Sequence, residues 1–509
     1  MIGKNKSKRD KLADKLQTLG YQNGKAKSDT KETYKDTMQR VEDNLETMGG
    51  PGFCLAKWLQ VTIHLANGTN HSCHHPRVHD IDPEEIKTNP SALHNTAYKK
   101  QLRKEMLEGE RPVECDYCWR VEDANKDATV EEKNFSDRIV KSASPWAMSR
   151  IEEVKKAGWK EDITPSYVEV DFENTCNFKC AYCSPSYSSQ WQKEIRDHGP
   201  YVLPYIRFND PAHIDEHSKL PIKPEGNPYI EAFWKWFPEA SKEMTDFRVT
   251  GGEPFLSKNT FKVLDYLEEN PNKELNFAIN SNFGVDADVI DNFIERINKL
   301  QHDRCIRSCT VYTSNEAHGK QAEYIRYGME YELWERNLRE MVEQTRAKVV
   351  IMSTINNLSF SSYQTFLEVV LDIKLKNTTR ARQLPLALDF PYLRHPEFLS
   401  GWVATPDMLV PMKNALKWAQ EKHETGNGMG FYVFETERMN RAIKLFDSKI
   451  AEADTDEGKS KRDTLRASFY QFVNEYDRRR KTNFLQTFPE YSEFYDLCKQ
   501  SSNNFIAVG

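Results

Sequence analysis

From about residue 165 to 390 the chain alternates segments of strand character with segments of helical period, and that alternation restricts the fold more than any other feature. The strand candidates are SYVEVDF, DFRVTG, LNFAINS, IRSCTVYT, KVVIMSTI and LPLALDF. Between them stand FWKWFPEASKEM, TFKVLDYLEEN, VIDNFIERINKL, YELWERNLREMVEQ and YQTFLEVVLDIKL, each with apolar residues at helical spacing. Strand-helix repetition of this kind predicts a parallel sheet with helical crossovers, because parallel neighbours need a long connection. The expected fold is therefore α/β: a partial (β/α)6 TIM-like barrel over 160–390, preceded by a small cysteine-rich module and followed by a mainly helical region over 391–509.

The segment before the barrel divides at MGGPGF (48–53), where Gly and Pro punctuate the chain. Residues 1–50 read as a basic helical extension, with Leu12, Leu16 and Leu19 at helical spacing beside KNKSKRDKLADKL. Asp10 and Asp14 interrupt the basic run, and the whole chain carries a net charge of −6, so nucleic acid is not the expected partner. Residues 51–135 contain the alternating stretch WLQVTIHL, a turn at Asn67 and Gly68, the polar run HSCHHPRVHD, and a helical segment ALHNTAYKKQLRKEMLEG that Gly109 should stop. ECDYCWRVED follows.

The cysteines carry the chemistry. Seven of the ten fall into two groups, Cys54, Cys73, Cys115 and Cys118, then Cys176, Cys180 and Cys183. Charged residues make up 29% and mean hydropathy is −0.75, with no apolar run of the 18 residues a spanning helix needs and no signal-peptide pattern. The expectation is a cytoplasmic protein without membrane contact. In that compartment thiols stay reduced, so grouped cysteines point to metal or redox chemistry rather than a disulfide framework. Cys305, Cys309 and Cys498 stand apart and read as buried small apolar residues.

The stretch VDFENTCNFKCAYCSPSYSSQW sets three thiols directly after the first barrel strand. A cubane wants a thiolate at each iron, so three ligands on one loop leave one iron open to an external ligand. A zinc knuckle is the competing reading. The turn TGGEPFLS, Thr250 to Ser257, ends the second strand, where its glycines let backbone approach a ligand. Both loops lie at strand carboxyl ends, the ligand-binding edge of parallel folds.

On these residues the chain resembles the radical S-adenosylmethionine superfamily. Cys176-x3-Cys180-x2-Cys183, with Tyr182 before the last cysteine, resembles its cluster motif. The resemblance implies a [4Fe-4S] cluster whose open iron is chelated by S-adenosyl-L-methionine, reductive cleavage to a 5′-deoxyadenosyl radical, and hydrogen-atom abstraction from a substrate. It implies that Gly251, Gly252 and Glu253 receive the cofactor's amino group and that Tyr182 lies near its adenine. Asn280, Asn282 and Ser314 fall where relatives bind ribose and methionine, Arg326 where the carboxylate is paired, and Thr354 and Asn356 where the site closes. At the fourth strand, where relatives often carry Ser-x-Asp, this chain has Thr313, Ser314, Asn315 and Glu316.

Cys54-x13-Gly68-x4-Cys73, then Cys115-x2-Cys118, resembles a twitch domain, half of a SPASM domain, which implies an auxiliary [4Fe-4S] cluster. In relatives the module usually follows the barrel; here it precedes it. A structural zinc site using the four cysteines, or a mixture with His71, His74 or His75, remains open. The expected function is radical modification of a peptide or protein, with a nucleotide, sugar or other small metabolite as the alternative substrate and a non-catalytic iron-sulfur scaffold as the alternative class. An electron donor such as flavodoxin or ferredoxin is the implied partner.

Overall fold

The computed structural model describes residues 33–217, 219–223, 225–379, 382–424, 429–453 and 455–506. The basic run expected to open the N-terminal extension lies outside the described residues. The strands, in chain order, are β1 (Gln60–His64), β2 (Thr69–His71), β3 (His79–Asp80), β4 (Tyr167–Asp171), β5 (Lys179–Cys180), β6 (Tyr201–Val202), β7 (Arg207–Phe208), β8 (Asp246–Thr250), β9 (Asn272–Asn280), β10 (Ile306–Ser314), β11 (Arg326–Tyr327), β12 (Lys348–Met352) and β13 (Leu386–Asp389).

Among the described residues nine strands form one sheet in the order β13-β12-β10-β9-β8-β4-β1-β2-β3. Pairing is parallel from β13 through β1, and β2 and β3 add an antiparallel margin. All six expected strands are present as β4, β8, β9, β10, β12 and β13, joined by helices that include Pro228–Ala240, Lys258–Glu269, Ala287–His302, Tyr331–Gln344 and Tyr363–Asn377. The protein is thus mixed α/β with a large, mostly parallel sheet.

Side chains alternate across this sheet. Val249, Phe277, Ile279, Cys309 and Val311 are buried against Ile290, Phe293, Trp334, Leu338 and Phe366 in one continuous core. Each such large apolar side chain contributes roughly 1.5–3 kcal/mol through burial. The opposite face is polar and half-buried: Arg248 donates to Asn280 at 2.9 Å and its guanidinium lies 4.1 Å from the centre of the Tyr312 ring.

β1 departs from the expected organisation. It is buried along its whole length and pairs residue for residue with β4, His64 opposite Asp171, so the cysteine-rich segment shares the main sheet. The Asn67-Gly68 turn then reverses the chain, as expected; Gly68 has φ +68°, and a Cβ there would lie 2.2 Å from the Tyr229 ring. A second core, built on Met38, Leu45, Phe53, Trp58, Met106, Ile139 and Ile163, joins helix Tyr34–Gly49 to the segment that follows it. The expected boundaries at 50 and 135 therefore fall inside a packed unit. The described residues beyond Asp389 are mainly helical, with Asp456–Arg480 packed along Ser492–Ile506. Cys305, Cys309 and Cys498 are buried, as their isolation in sequence implies.

Candidate functional site

Two strand-end loops meet at the carboxyl edge of β4 and β8. The loop after β4 carries Cys176, buried, and Cys180 and Cys183, half-buried. The turn after β8 is laced to it through backbone: Gly252 N–H donates to the Glu173 carbonyl at 3.2 Å and Glu253 N–H to the Thr175 carbonyl at 2.7 Å. Glycine is needed here for space. A Cβ on Gly252 would stand 2.3 Å from the Thr175 carbonyl oxygen, and Gly251 has φ +125°.

The cysteine loop is held from both sides. β5, which ends at Cys180, pairs antiparallel with β11, Arg326 opposite Cys180. Cys176 N–H donates to Ser189 Oγ at 3.2 Å, and Trp191 Nε1 donates to the Cys180 carbonyl at 2.9 Å. Hydrogen-bond donors also face the sulfurs. Phe178 N–H lies 3.4 Å and Asn282 Nδ2 3.8 Å from Cys176 Sγ, and Arg326 Nη1 lies 3.8 Å from Cys180 Sγ. Burial raises all three thiols above the ordinary cysteine range, Cys183 to about 12, and each raised thiol also feels the charge of a neighbour in the trio or of Glu316. A cationic centre shared among the sulfurs would reverse that shift and hold them as thiolates.

The other expected residues divide by what holds them. The Glu253 carboxylate is buried and accepts from Asn282 N–H at 2.6 Å and Phe255 N–H at 3.0 Å, while desolvation pushes its acid up to about 7. Asn282 also donates to Asn177 Oδ1 at 2.8 Å, so it ties the end of β9 to the cysteine loop. Asn280 accepts from Arg248 on the polar face. Ser314 ends β10 opposite Met352, half-buried. Thr354 and Asn356 follow β12; the Asn356 amide donates to the Thr354 carbonyl at 2.9 Å and accepts from Leu358 N–H at 3.0 Å, which makes it a turn former.

Arg326 and Tyr182 have an unexpected partner. Arg326 Nε and Nη2 donate to Glu316 Oε2 at 3.0 and 2.6 Å, Arg326 Nη2 also donates to the Tyr182 hydroxyl at 2.7 Å, and that hydroxyl donates to Glu316 Oε1 at 2.9 Å. Burial opposes the guanidinium charge, but the Glu316 carboxylate outweighs it and holds Arg326 well above its usual value. Arg326, expected to pair with a cofactor carboxylate, here meets a carboxylate of the chain itself. Glu316 was visible in sequence only as the residue after the Thr-Ser-Asn departure.

The second cysteine group gathers from three places. Cys54 precedes β1, Cys73 follows β2, and Cys115 and Cys118 share one side of helix Asp116–Asp123 and the turn before it. All four line a single hollow together with Lys57, Arg138 and Lys141. Burial works against these cations, yet neighbouring cysteines and carboxylates hold all three above their ordinary values. Three of the histidines have partners of their own, although His75 and its partner Asp137 also line the hollow. His71 Nδ1 donates to the Cys73 carbonyl, His75 Nε2 meets Asp137 at 2.9 Å while its ring stacks on Tyr117, and His79 Nε2 meets Thr96 Oγ at 3.0 Å. His74 is exposed.

Among the described residues no group of three or more His, Cys, Asp or Glu side chains is drawn together as a metal site. The second cysteine group surrounds its hollow without converging on a point. No family model matches the sequence, and comparison with curated proteins gives no match.

Proposed function

We propose that the chain is a radical S-adenosylmethionine enzyme, and that β4, β8, β9, β10, β12 and β13 with their helices are its partial (β/α)6 barrel. The carrying observation is the lacing of the Cys176-Cys180-Cys183 loop to the Gly251-Gly252-Glu253 turn at adjacent strand ends. The donor set fits a [4Fe-4S] cluster: three thiols on one loop, with N–H groups aimed at two of their sulfurs. When bound, the cluster and S-adenosyl-L-methionine supply reductive cleavage to a 5′-deoxyadenosyl radical, which abstracts hydrogen from the substrate.

The residues then have separable tasks. Cys176, Cys180 and Cys183 would hold three irons, and Gly251 and Gly252 let the turn pack directly on the cysteine loop, where Cβ atoms would meet the Glu173 and Thr175 carbonyl oxygens. Glu253 is a rigid acceptor, fixed by two backbone donors. Tyr182, Glu316 and Arg326 form a buried triad that orients the aromatic ring beside Cys183 without moving a proton. Phe178 and Trp191 anchor the loop in the core, with Cys180, Tyr182 and Cys183 packed against it and half-buried.

For the second group an auxiliary [4Fe-4S] cluster is the better reading. A zinc ion would sit about 2.3 Å from each of four sulfurs, whereas here four thiols wall a hollow with three buried cations around it. Those cations favour the thiolates and the net negative charge that four of them bring to a cluster or a zinc ion alike, so the spread of the thiols around the hollow is what favours the larger group. The substrate class, a peptide or protein, rests on the family resemblance, and the polar face around Arg248, Asn280 and Tyr312 gives it a hydrogen-bonding floor. The test is anaerobic incubation with S-adenosyl-L-methionine and dithionite. Formation of 5′-deoxyadenosine that Cys176→Ala abolishes supports the reading; equal formation by that variant overturns the loop assignment.

A further inference from the structure

The helical C-terminal region reaches back to the cysteine loop through one side chain. Helix Asp456–Arg480 ends at Arg480, whose side chain is fully buried, and the next residue, Lys481, turns the chain away with φ +56°. Arg480 Nη1 donates to the Lys179 carbonyl at 2.6 Å, across 301 positions of sequence. Its Nε and Nη2 donate to Glu194 at 3.0 and 3.2 Å, and Glu194 also accepts from Lys179 Nζ at 2.8 Å and the Tyr201 hydroxyl at 2.6 Å. The guanidinium lies 3.9 Å from the Tyr476 ring centre and 4.6 Å from that of Trp191.

Trp191 is the link that makes this contact more than packing. Its indole N–H holds the Cys180 carbonyl, so Arg480 and the tryptophan beneath it fix the carbonyls of Lys179 and Cys180 in succession. Arg326 approaches the Cys180 sulfur as well. Charge is balanced differently around the two guanidinium groups. Glu316 neutralises Arg326, whereas Glu194 faces two cations, Arg480 and Lys179, and leaves one positive charge beside the loop.

We infer that Arg480 is a positioning residue for Cys180, clasping the cysteine loop from the C-terminal region and raising the reduction potential of the cluster held there. The inference rests on the cluster reading above. A buried cation favours the more negative, reduced form of a group at this distance, and the guanidinium fork gives it a fixed place.

Arg480→Gln and Glu194→Gln test it by redox titration of the reconstituted protein, followed by electron paramagnetic resonance. At a fixed potential Arg480→Gln lowers the ratio of reduced to oxidised cluster roughly tenfold, equivalent to about 59 mV for one electron, and Glu194→Gln raises it. Arg480→Lys keeps the charge and loses the fork, so its ratio stays near that of the unsubstituted protein. In the cluster-free proteins, iodoacetamide labels Cys180 faster in both Arg480 variants, read by peptide mass spectrometry. An unchanged ratio in Arg480→Gln, or a shift of the same sign in Glu194→Gln, overturns the electrostatic role, and unchanged labelling overturns the clasp. Absence of iron from the unsubstituted protein instead overturns the cluster reading, and the labelling arm still decides the clasp.

Discussion

Replacing Glu316 with Gln isolates the buried triad that sequence alone does not reveal. The side chains of Arg326 and Glu316 are 7% and 1% exposed, so the guanidinium has no water to turn to when its counter-ion is removed. Two charge-assisted bonds to Glu316 Oε2 are lost or weakened, and the remaining neighbours are the Tyr182 hydroxyl at 2.7 Å and the Cys180 sulfur at 3.8 Å. Breaking a buried pair by removing one partner costs about 3–5 kcal/mol. Gln retains an acceptor oxygen, which places Glu316→Gln near about 3 kcal/mol. Urea unfolding of the cluster-free protein reads the cost as a shift in midpoint at constant slope. The cycle with Arg326→Gln separates pairing from shape: the double variant should cost at least about 2 kcal/mol less than the sum of the single ones. A loss below about 1 kcal/mol, or strict additivity, would refute the claim that the pair is ionised and mutually dependent.

Three further outcomes follow from other parts of the structure. Gly252→Ala drives a methyl group into the Thr175 carbonyl and should destabilise the protein by about 1–3 kcal/mol while weakening S-adenosyl-L-methionine binding; calorimetry on the variant checks both. Burial alone would raise the Glu194 acid, but Arg480 and the donors from Lys179 and Tyr201 pull it from 4.5 to about 2. Its contribution, roughly 3 kcal/mol, is therefore complete above pH 4.5 and is lost as pH falls toward 2. Tryptophan fluorescence across that range should show a flatter acid transition in Glu194→Gln, and an identical curve would remove Glu194 from the account. Cys118→Ser should lower iron from roughly eight to roughly four per chain if the second hollow holds a cluster, and release zinc with iron unchanged if it holds that ion.

The six strands between 165 and 390 were legible because each is a short, largely apolar run between helical segments, and parallel pairing follows from the connections. β1 was legible as a strand but not as the neighbour of β4, since its partner is set by a core that assembles far along the chain. The same limit hid Arg480. Its local setting, DRRRK at a helix end, reads as a solvated charge run, and only tertiary structure separates it from Arg478, which pairs with Glu475 in the open. Arg326 was singled out in sequence as a guanidinium suited to a cofactor carboxylate, and in the folded chain it meets Glu316. Its counter-ion was not legible, because Glu316 stands ten residues earlier and reaches it only through the turn after β10. The histidines near Cys73 offered zinc ligands by count alone; their hydrogen bonds to Cys73, Asp137 and Thr96 are visible only in the folded chain.

The most direct test of the central claim is iron and sulfide content of anaerobically prepared protein, with low-temperature electron paramagnetic resonance of the dithionite-reduced form with and without S-adenosyl-L-methionine. The account predicts about eight irons per chain and a signal that changes when S-adenosyl-L-methionine is added, reporting one cluster with an open iron and one fully ligated by cysteine. Protein that takes up no iron under reconstitution, or carries a signal indifferent to S-adenosyl-L-methionine, would contradict it.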